Sequence, residues 1–187
     1  MLKPTFPITT DRMILRAFEE CDLEDLFRLR GDREITRYLP HHAETCEDAR
    51  ELLDKRMARR AILEDGDKLN CAAVLKDTGE FVGEIGLFSV PNEPHTLELG
   101  YVLLPKFHGG GFANEGSRAL LQLAFEEGGY HRVIARCLGG NEASFKAMKR
   151  LGMRKEGYFE SAEKVGDTWH DMILCAILED EWRAGQG

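Results

Sequence analysis

The sequence predicts an α+β fold: one domain over residues 1–187, with a mixed, mostly antiparallel sheet of about seven strands and helices on both faces. Three observations lead there. The apolar period switches repeatedly between two and 3.6 residues along the chain. Three strand-like segments between residues 69 and 104 are separated only by short turns, so they fold back on one another as antiparallel neighbours. Helical patterns stand both before and after that block, which supplies a cover for each face of the sheet.

The elements follow in order. Thr10 to Ala17 alternates as a strand. Asp22 is placed to cap a helix whose stripe, Leu23, Leu26, Phe27 and Leu29, ends at Gly31. Thr45 and Asp48 have capping-box spacing ahead of a charged helix to about Glu64, with Ala49, Leu52, Leu53, Met57 and Ala61 at helical intervals. Strands at Leu69–Lys76, Phe81–Val90 and His95–Leu104 are joined by turns at Asp77–Glu80 and Pro91–Pro94. Gly111 to Glu127 reads as a helix burying Leu120, Leu121, Ala124 and Phe125, stopped by Gly128 and Gly129. His131–Leu138 is a strand, and Asn141 caps a helix ending at Gly152. Met153–Tyr158 and Thr168–Leu178 close the sheet around a turn at Val165–Thr168.

Composition narrows the function classes. No apolar run approaches the roughly 18 residues of a membrane span, and Met1 to Ile8 lacks the layout of a signal peptide. The five cysteines form no Cys-x-x-Cys pair and suggest no disulfide framework, which points to a reducing cytoplasm. The six histidines show no zinc spacing, so no metal is expected. A net charge of −8 argues against nucleic acid as a partner. It also repels an anionic ligand, so such a ligand needs local help from backbone amides and from Lys106, Lys146, Lys149 or Arg150.

The most informative stretch runs from Glu98 to Glu115. An apolar strand ends at Pro105, three consecutive glycines follow at Gly109, Gly110 and Gly111, and a helix opens near Phe112. Such a loop exposes unpaired N–H groups and the positive end of a helix dipole, a seat for phosphate. A P-loop is rejected because no Lys-Ser or Lys-Thr follows the glycines. A dinucleotide fingerprint fits poorly, with Asn114 at its last glycine position and the loop past the middle of the chain. A pyrophosphate loop of the Gln/Arg-x-x-Gly-x-Gly/Ala kind matches at His108 to Ala113 except at its first residue.

That pattern resembles the GNAT N-acetyltransferase superfamily, over nearly the whole chain. Thr10–Arg16 resembles the opening strand of the subfamily that acetylates ribosomal-protein N-termini (the RimJ/RimL type). Leu97–Val102 resembles its fourth strand and Gly111–Glu115 its helix start. Asn141–Ser144 with Arg150–Met153 resembles its Asn-x-x-Ser and Lys-Leu-Gly-Phe segments, and Gly166–Asp171 with Glu181–Trp182 its last hairpin and tail. His108 and Met153 depart from the usual residues.

The resemblance implies acetyl-coenzyme A as co-substrate and a fourth strand splayed from the fifth, whose free backbone holds the pantetheine arm. Carried onto this chain, the donor site comprises Tyr101, Val102, Leu103, Leu104, His108, Gly109, Gly110, Gly111, Phe112, Ala113, Asn141, Ser144 and Arg150. A backbone N–H near Val102 would polarise the acyl carbonyl, and Gly100 suits the bulge or close approach that opens the wedge. Asn141 would touch pantetheine while capping its helix, and Ser144 would donate a proton to the leaving sulfur. The acceptor wall would come from the two early helices and the link Arg37–His42.

The amine must be neutral when it attacks, so a base is sought. Glu84 and Glu98 are the candidates, because each carboxylate lies inside an apolar strand. Glu98 faces opposite to Leu97 and Leu99 and therefore meets either solvent or the acceptor groove; a solvent-facing role remains open for each, as does a water chain. Tyr101, Tyr38, His41 and His170 are weaker candidates; His170 beside Asp171 reads as a structural hairpin pair, Glu115 as a helix-dipole partner, and Cys71, Cys137 and Cys175 as inert core thiols. The expected activity is acetyl transfer to a primary amine, a protein N-terminus or a small molecule, with a homodimer as one way to close the groove. Two alternatives stay open: a non-catalytic acyl-coenzyme A sensor, and a nucleotide-binding module.

Overall fold

A computed structural model describes residues 1–39 and 43–185. Its centre is one eight-stranded sheet: β1 (Ile8–Thr9), β2 (Met13–Arg16), β3 (Lys68–Leu75), β4 (Phe81–Val90), β5 (Glu93–Leu103), β6 (Arg132–Leu138), β7 (Arg154–Val165) and β8 (Thr168–Leu178). The order across the sheet is β1-β2-β3-β4-β5-β6-β8-β7. Every pairing is antiparallel except β5 with β6. The extra strand is the two-residue β1, too short to show a period; it shifts the count so that the expected fourth and fifth strands are β5 and β6.

The helices are α1 (Leu23–Gly31), α2 (Arg33–Thr36), α3 (Cys46–Ala58), α4 (Phe112–Gln122), α5 (Glu142–Arg150) and α6 (Glu179–Ala184). α1 packs on α3 and β4, and α3 packs on β3; α4 packs on β2, β4 and β5, and α5 on β6. The early helices and the late ones thus cover the two sides of the sheet. On the second side Gly116 lets α4 sit against the strands, since a Cβ there would lie 2.3 Å from Cδ1 of Ile85.

Several boundaries differ from expectation. The Thr45–Asp48 capping box forms, but α3 stops at Ala58 rather than near Glu64. Arg59 there leaves helical geometry, and Asn70 N donates to its carbonyl at 2.9 Å, so the chain is drawn onto β3. Asp22 does not cap α1 through its side chain. Its carboxylate is taken by both Nη atoms of Arg16, each at 2.7 Å, and by Glu19 N at 2.8 Å. The closing hairpin is longer than expected, with β7 running on to Val165.

Register assigns the faces, because directly opposed residues share one and neighbours alternate. Glu84 opposes Val102, Gly86 opposes Gly100, and Phe88 opposes Glu98. These six share the face covered by α1 and α3. Leu97 and Leu99 are buried on the other face. Glu98 therefore points to the α1/α3 side, where it lines a cavity.

Candidate functional site

β5 and β6 stay together for only three register pairs, Thr96 with Arg132, Leu97 with Val133, and Glu98 with Ile134. Beyond Glu98, β5 keeps its pairing with β4 through Leu103, while β6 continues with β8. A wedge therefore opens between residues 99–103 and 135–138, with backbone groups of β5 left without a strand partner. Gly100 is not a bulge. It is needed because a Cβ would come within 2.8 Å of the Phe88 ring.

Two cavities meet at this wedge. The larger, about 750 Å³, is lined by Tyr101, Val102, Leu103, His108, Gly109, Gly111, Phe112, Ala113, Asn141, Ser144 and Arg150. The smaller, about 400 Å³, lies on the α1/α3 side and is lined by Arg30, Glu84, Glu98, Gly100, Arg136 and others. Tyr38, Leu39, Tyr101, Val102, Asn141 and Ser144 line both. Both volumes suit small-molecule ligands.

The glycine loop is built to offer amides. Gly109 and Gly111 take φ of +76° and +81°, conformations that favour glycine. Glu115 N is the first amide of α4 with a helical acceptor, Gly111 O at 3.0 Å, so the preceding amides of that turn face outward. His108 ties the loop to the strand, its Nε2 lying 2.9 Å from Leu103 O. Asn114 ties α4 to α5, its Nδ2 donating to Ala147 O at 2.8 Å.

Two expected donor-site positions do not line the cavity. Leu104 is buried, and its N–H is spent on Val82 O at 2.9 Å. The Gly110 carbonyl accepts from Arg12 Nη1 at 3.0 Å. Of the expected cations, Lys146 and Arg150 line the large cavity. Lys106 instead pairs with Glu80, and the Lys149 ammonium stands 5.9 Å from the Phe145 ring centroid. Arg37, expected on the acceptor wall, also lines the large cavity.

Arg12 is the larger omission of the sequence reading. Its Nε donates to Glu115 at 2.7 Å, its backbone N donates to the same carboxylate at 2.7 Å, and its guanidinium stacks 4.0 Å from the Phe112 ring centroid. Thr10 Oγ1 donates to Glu115 at 2.6 Å. Glu115 thus clamps the β1–β2 turn against the glycine loop instead of merely complementing the dipole. The available signal was Thr10-Asp-Arg12 itself, read only as the start of a strand.

Around the wedge, Asn141 Oδ1 accepts from Ser144 N at 3.1 Å, capping α5. Tyr101 Oη lies 3.1 Å from Ser144 Oγ. Burial, only partly offset by the bond to Ser144, pushes the Tyr101 phenol up, so it keeps its proton near neutrality. Burial likewise pushes Cys71 up to about 12 and Cys137 to about 11, so both thiols stay protonated. Asp171 accepts from Tyr158 and from Ser161 N at 2.9 Å, a hairpin role. His41 lies outside the described residues.

Both candidate bases carry arginines. Glu98 is bound by Arg136, with Nε donating at 2.9 Å. Glu84 is 3% exposed and held by Arg30, Arg56 and Asn70 Nδ2, the last at 2.6 Å. Burial would push the Glu84 carboxyl up, but the two guanidinium charges and their hydrogen bonds outweigh it and hold it below the ordinary 4.5. A carboxylate so satisfied is a poor base. Its expected catalytic role gives way, on this geometry, to that of a charge anchor between α1 and α3.

Among the described residues, no group of three or more His, Cys, Asp or Glu is placed to hold a metal ion. No helix there is long and apolar enough to cross a membrane.

Comparison with known proteins agrees with this geometry. Residues 12–154 match the acetyltransferase (GNAT) domain. The chain is 34% identical over 175 residues to the uncharacterized N-acetyltransferase YnaD of Bacillus subtilis, covering 94% of this chain and 98% of that one. A GNAT-family acetyltransferase crystal structure from Bacillus anthracis superposes with a TM-score of 0.83 at 33% identity, covering 94% and 99% of the two chains. The ribosomal-protein-serine acetyltransferase of Escherichia coli is 28% identical over 101 residues, 54% of this chain and 56% of that one. The chain belongs to the GNAT acetyltransferase family and is an acyltransferase.

Proposed function

We propose that this enzyme moves an acetyl group from acetyl-coenzyme A directly to a primary amine, on a protein N-terminus or a small molecule. One observation carries the reading: two cavities of different character join at Val102 and Ser144, inside the wedge that opens once β5 has left β6 at Glu98.

The larger cavity fits the donor. The loop from His108 to Ala113 would hold the pyrophosphate through its amides, with Arg150 offsetting the phosphate charge in a chain of net charge −8, since Lys146 is paired with Glu142. The free edge of β5 from Tyr101 to Leu103 would pair with the pantetheine amides, and Asn141 would steady them from α5. The bound thioester supplies an activated acyl carbonyl. The register turns the Val102 N–H to β4, as it does that of Leu104, so the free N–H of Tyr101 or Leu103 beside it would polarise that carbonyl in a water-poor wedge.

Ser144 would donate its hydroxyl proton to the leaving sulfur, whose ordinary pKa of about 8.5 makes protonation useful near neutrality. Tyr101, hydrogen-bonded to Ser144, would relay to it a proton taken up from water in the cavity, so that the phenol ends protonated. The amine proton would leave through water in the smaller cavity, since both lining candidates, Glu84 and Glu98, are engaged by arginines. Alignment of the two reactants supplies up to about 7–11 kcal/mol of the barrier reduction.

Release of free thiol from acetyl-coenzyme A, measured against a panel of peptides and small amines, tests this. Acceptor-dependent release is expected. Tight donor binding with no release across the panel would replace it with a sensor role.

A further inference from the structure

The smaller cavity is electrically lopsided. At its inner end, beside the transfer point at Val102, two guanidiniums share one carboxylate: Arg30 and Arg56 both pair with Glu84. The three side chains are 13%, 11% and 4% exposed, so one net positive charge is held nearly out of water. Arg30 makes one side-chain hydrogen bond among the described residues, to Glu84, and its buried Nε has no partner. That guanidinium lines the cavity with donors to spare.

The outer end has the opposite sign. Glu98 lies four residues from Val102 along β5, roughly 13 Å at the rise of an extended strand. There Glu98 and Glu163 stand against Arg136, and Glu163 has no ion-pair partner among the described residues. The charge around the cavity thus runs from positive at Glu84 with its two arginines to negative at Glu98 and Glu163.

A purely cationic acceptor would bring its reacting nitrogen against like charge. An acceptor with an anion two or three bonds from that nitrogen would satisfy Arg30, and the positive surroundings would favour the neutral, attacking amine. We propose that the acceptor is a small amine bearing an anionic group, of the α-amino acid type, and that Arg30 seats the anion while the amine lies at Val102. This rests on the acetyltransfer reading and narrows its acceptor. The volume of about 400 Å³ is in keeping with a molecule of that size.

Matched acceptors test it on the unaltered enzyme. Thiol release is measured for α-amino acids and their carboxamides, with an aminoalkyl phosphate and spermidine as further arms. The carboxylate member of each pair is expected to show at least about tenfold higher kcat/KM, with spermidine below both. Preference for the phosphate over an uncharged amine would support the same seat with a different anion. In Arg30→Gln, which leaves Glu84 balanced by Arg56 and Asn70, the ratio is expected to fall towards one. Equal rates within pairs, or preference for the carboxamide or spermidine, would overturn the proposal and leave acetyl transfer standing. No release above the amine-free background in any arm would overturn both.

Discussion

The two cavities that meet at Val102 are made of different material. The cavity proposed for the donor offers chiefly main chain at its phosphate end: amides of a glycine loop, a helix start and the unpaired edge of β5. The cavity proposed for the acceptor is side-chain charge: Arg30, Glu84, Glu98 and Arg136, drawn from α1, β4, β5 and β6. A main-chain site is fixed by backbone geometry and serves one ligand. A site of interlocked charges can be re-specified by substitution, but each change disturbs the fold, because the charges also join the elements.

Breaking the acceptor side should therefore appear first as lost stability. Glu84→Gln strips the shared partner from two buried guanidiniums and is expected to cost about 3–5 kcal/mol in denaturant unfolding. A loss under 1 kcal/mol would show that the cluster is not a unit. On the donor side, Gly111→Val puts a β-branched residue at φ +81° and a side chain into the phosphate seat. Acetyl-coenzyme A affinity by calorimetry is expected to fall by two orders of magnitude or more, roughly 3 kcal/mol, and unchanged affinity would remove the loop from the site.

Ser144→Ala sits where the two sides touch. It is expected to lower kcat by about 100-fold, the lower end for loss of a general acid, with little change in donor affinity. Wild-type turnover would leave Ser144 only its place on the first turn of α5. The acid limb of stability gives a smaller contrast. The folded pKa of Glu84 lies below its ordinary 4.5, so its contribution is intact above that pH and is lost as pH falls through the folded value. Melting temperature below pH 4.5 is expected to fall more steeply in the wild type than in Glu84→Gln; parallel curves would assign the acid loss to other carboxylates. Arg12→Ala should do least, weakening donor binding a few-fold by loosening the loop from Glu115.

The same contrast explains what could be read in advance. The glycine loop, the cap at Asn141 and the alternation that aims Glu98 away from Leu97 are local, and the structure keeps all three. The Glu84 cluster is not local. Glu84 in an apolar strand signalled only that a partner must exist, and Arg30, Arg56 and Asn70 are 54, 28 and 14 residues away. The sequence alone could not tell a base from an anchor. Likewise Leu104 looked like one more residue of the free edge until its amide was found bonded to Val82. The two-residue β1 and the four-residue α2 are held by neighbours, and pattern does not reveal them.

The three register pairs between β5 and β6 have a mechanical consequence. Among the described residues they are the only strand pairing between one half of the sheet, β1 to β5, and the other, β6 to β8. Few ladder bonds cross that seam, and what holds the two halves together is the apolar core that spans both. Amide exchange is expected to be faster at that seam than in the other ladders of the sheet interior.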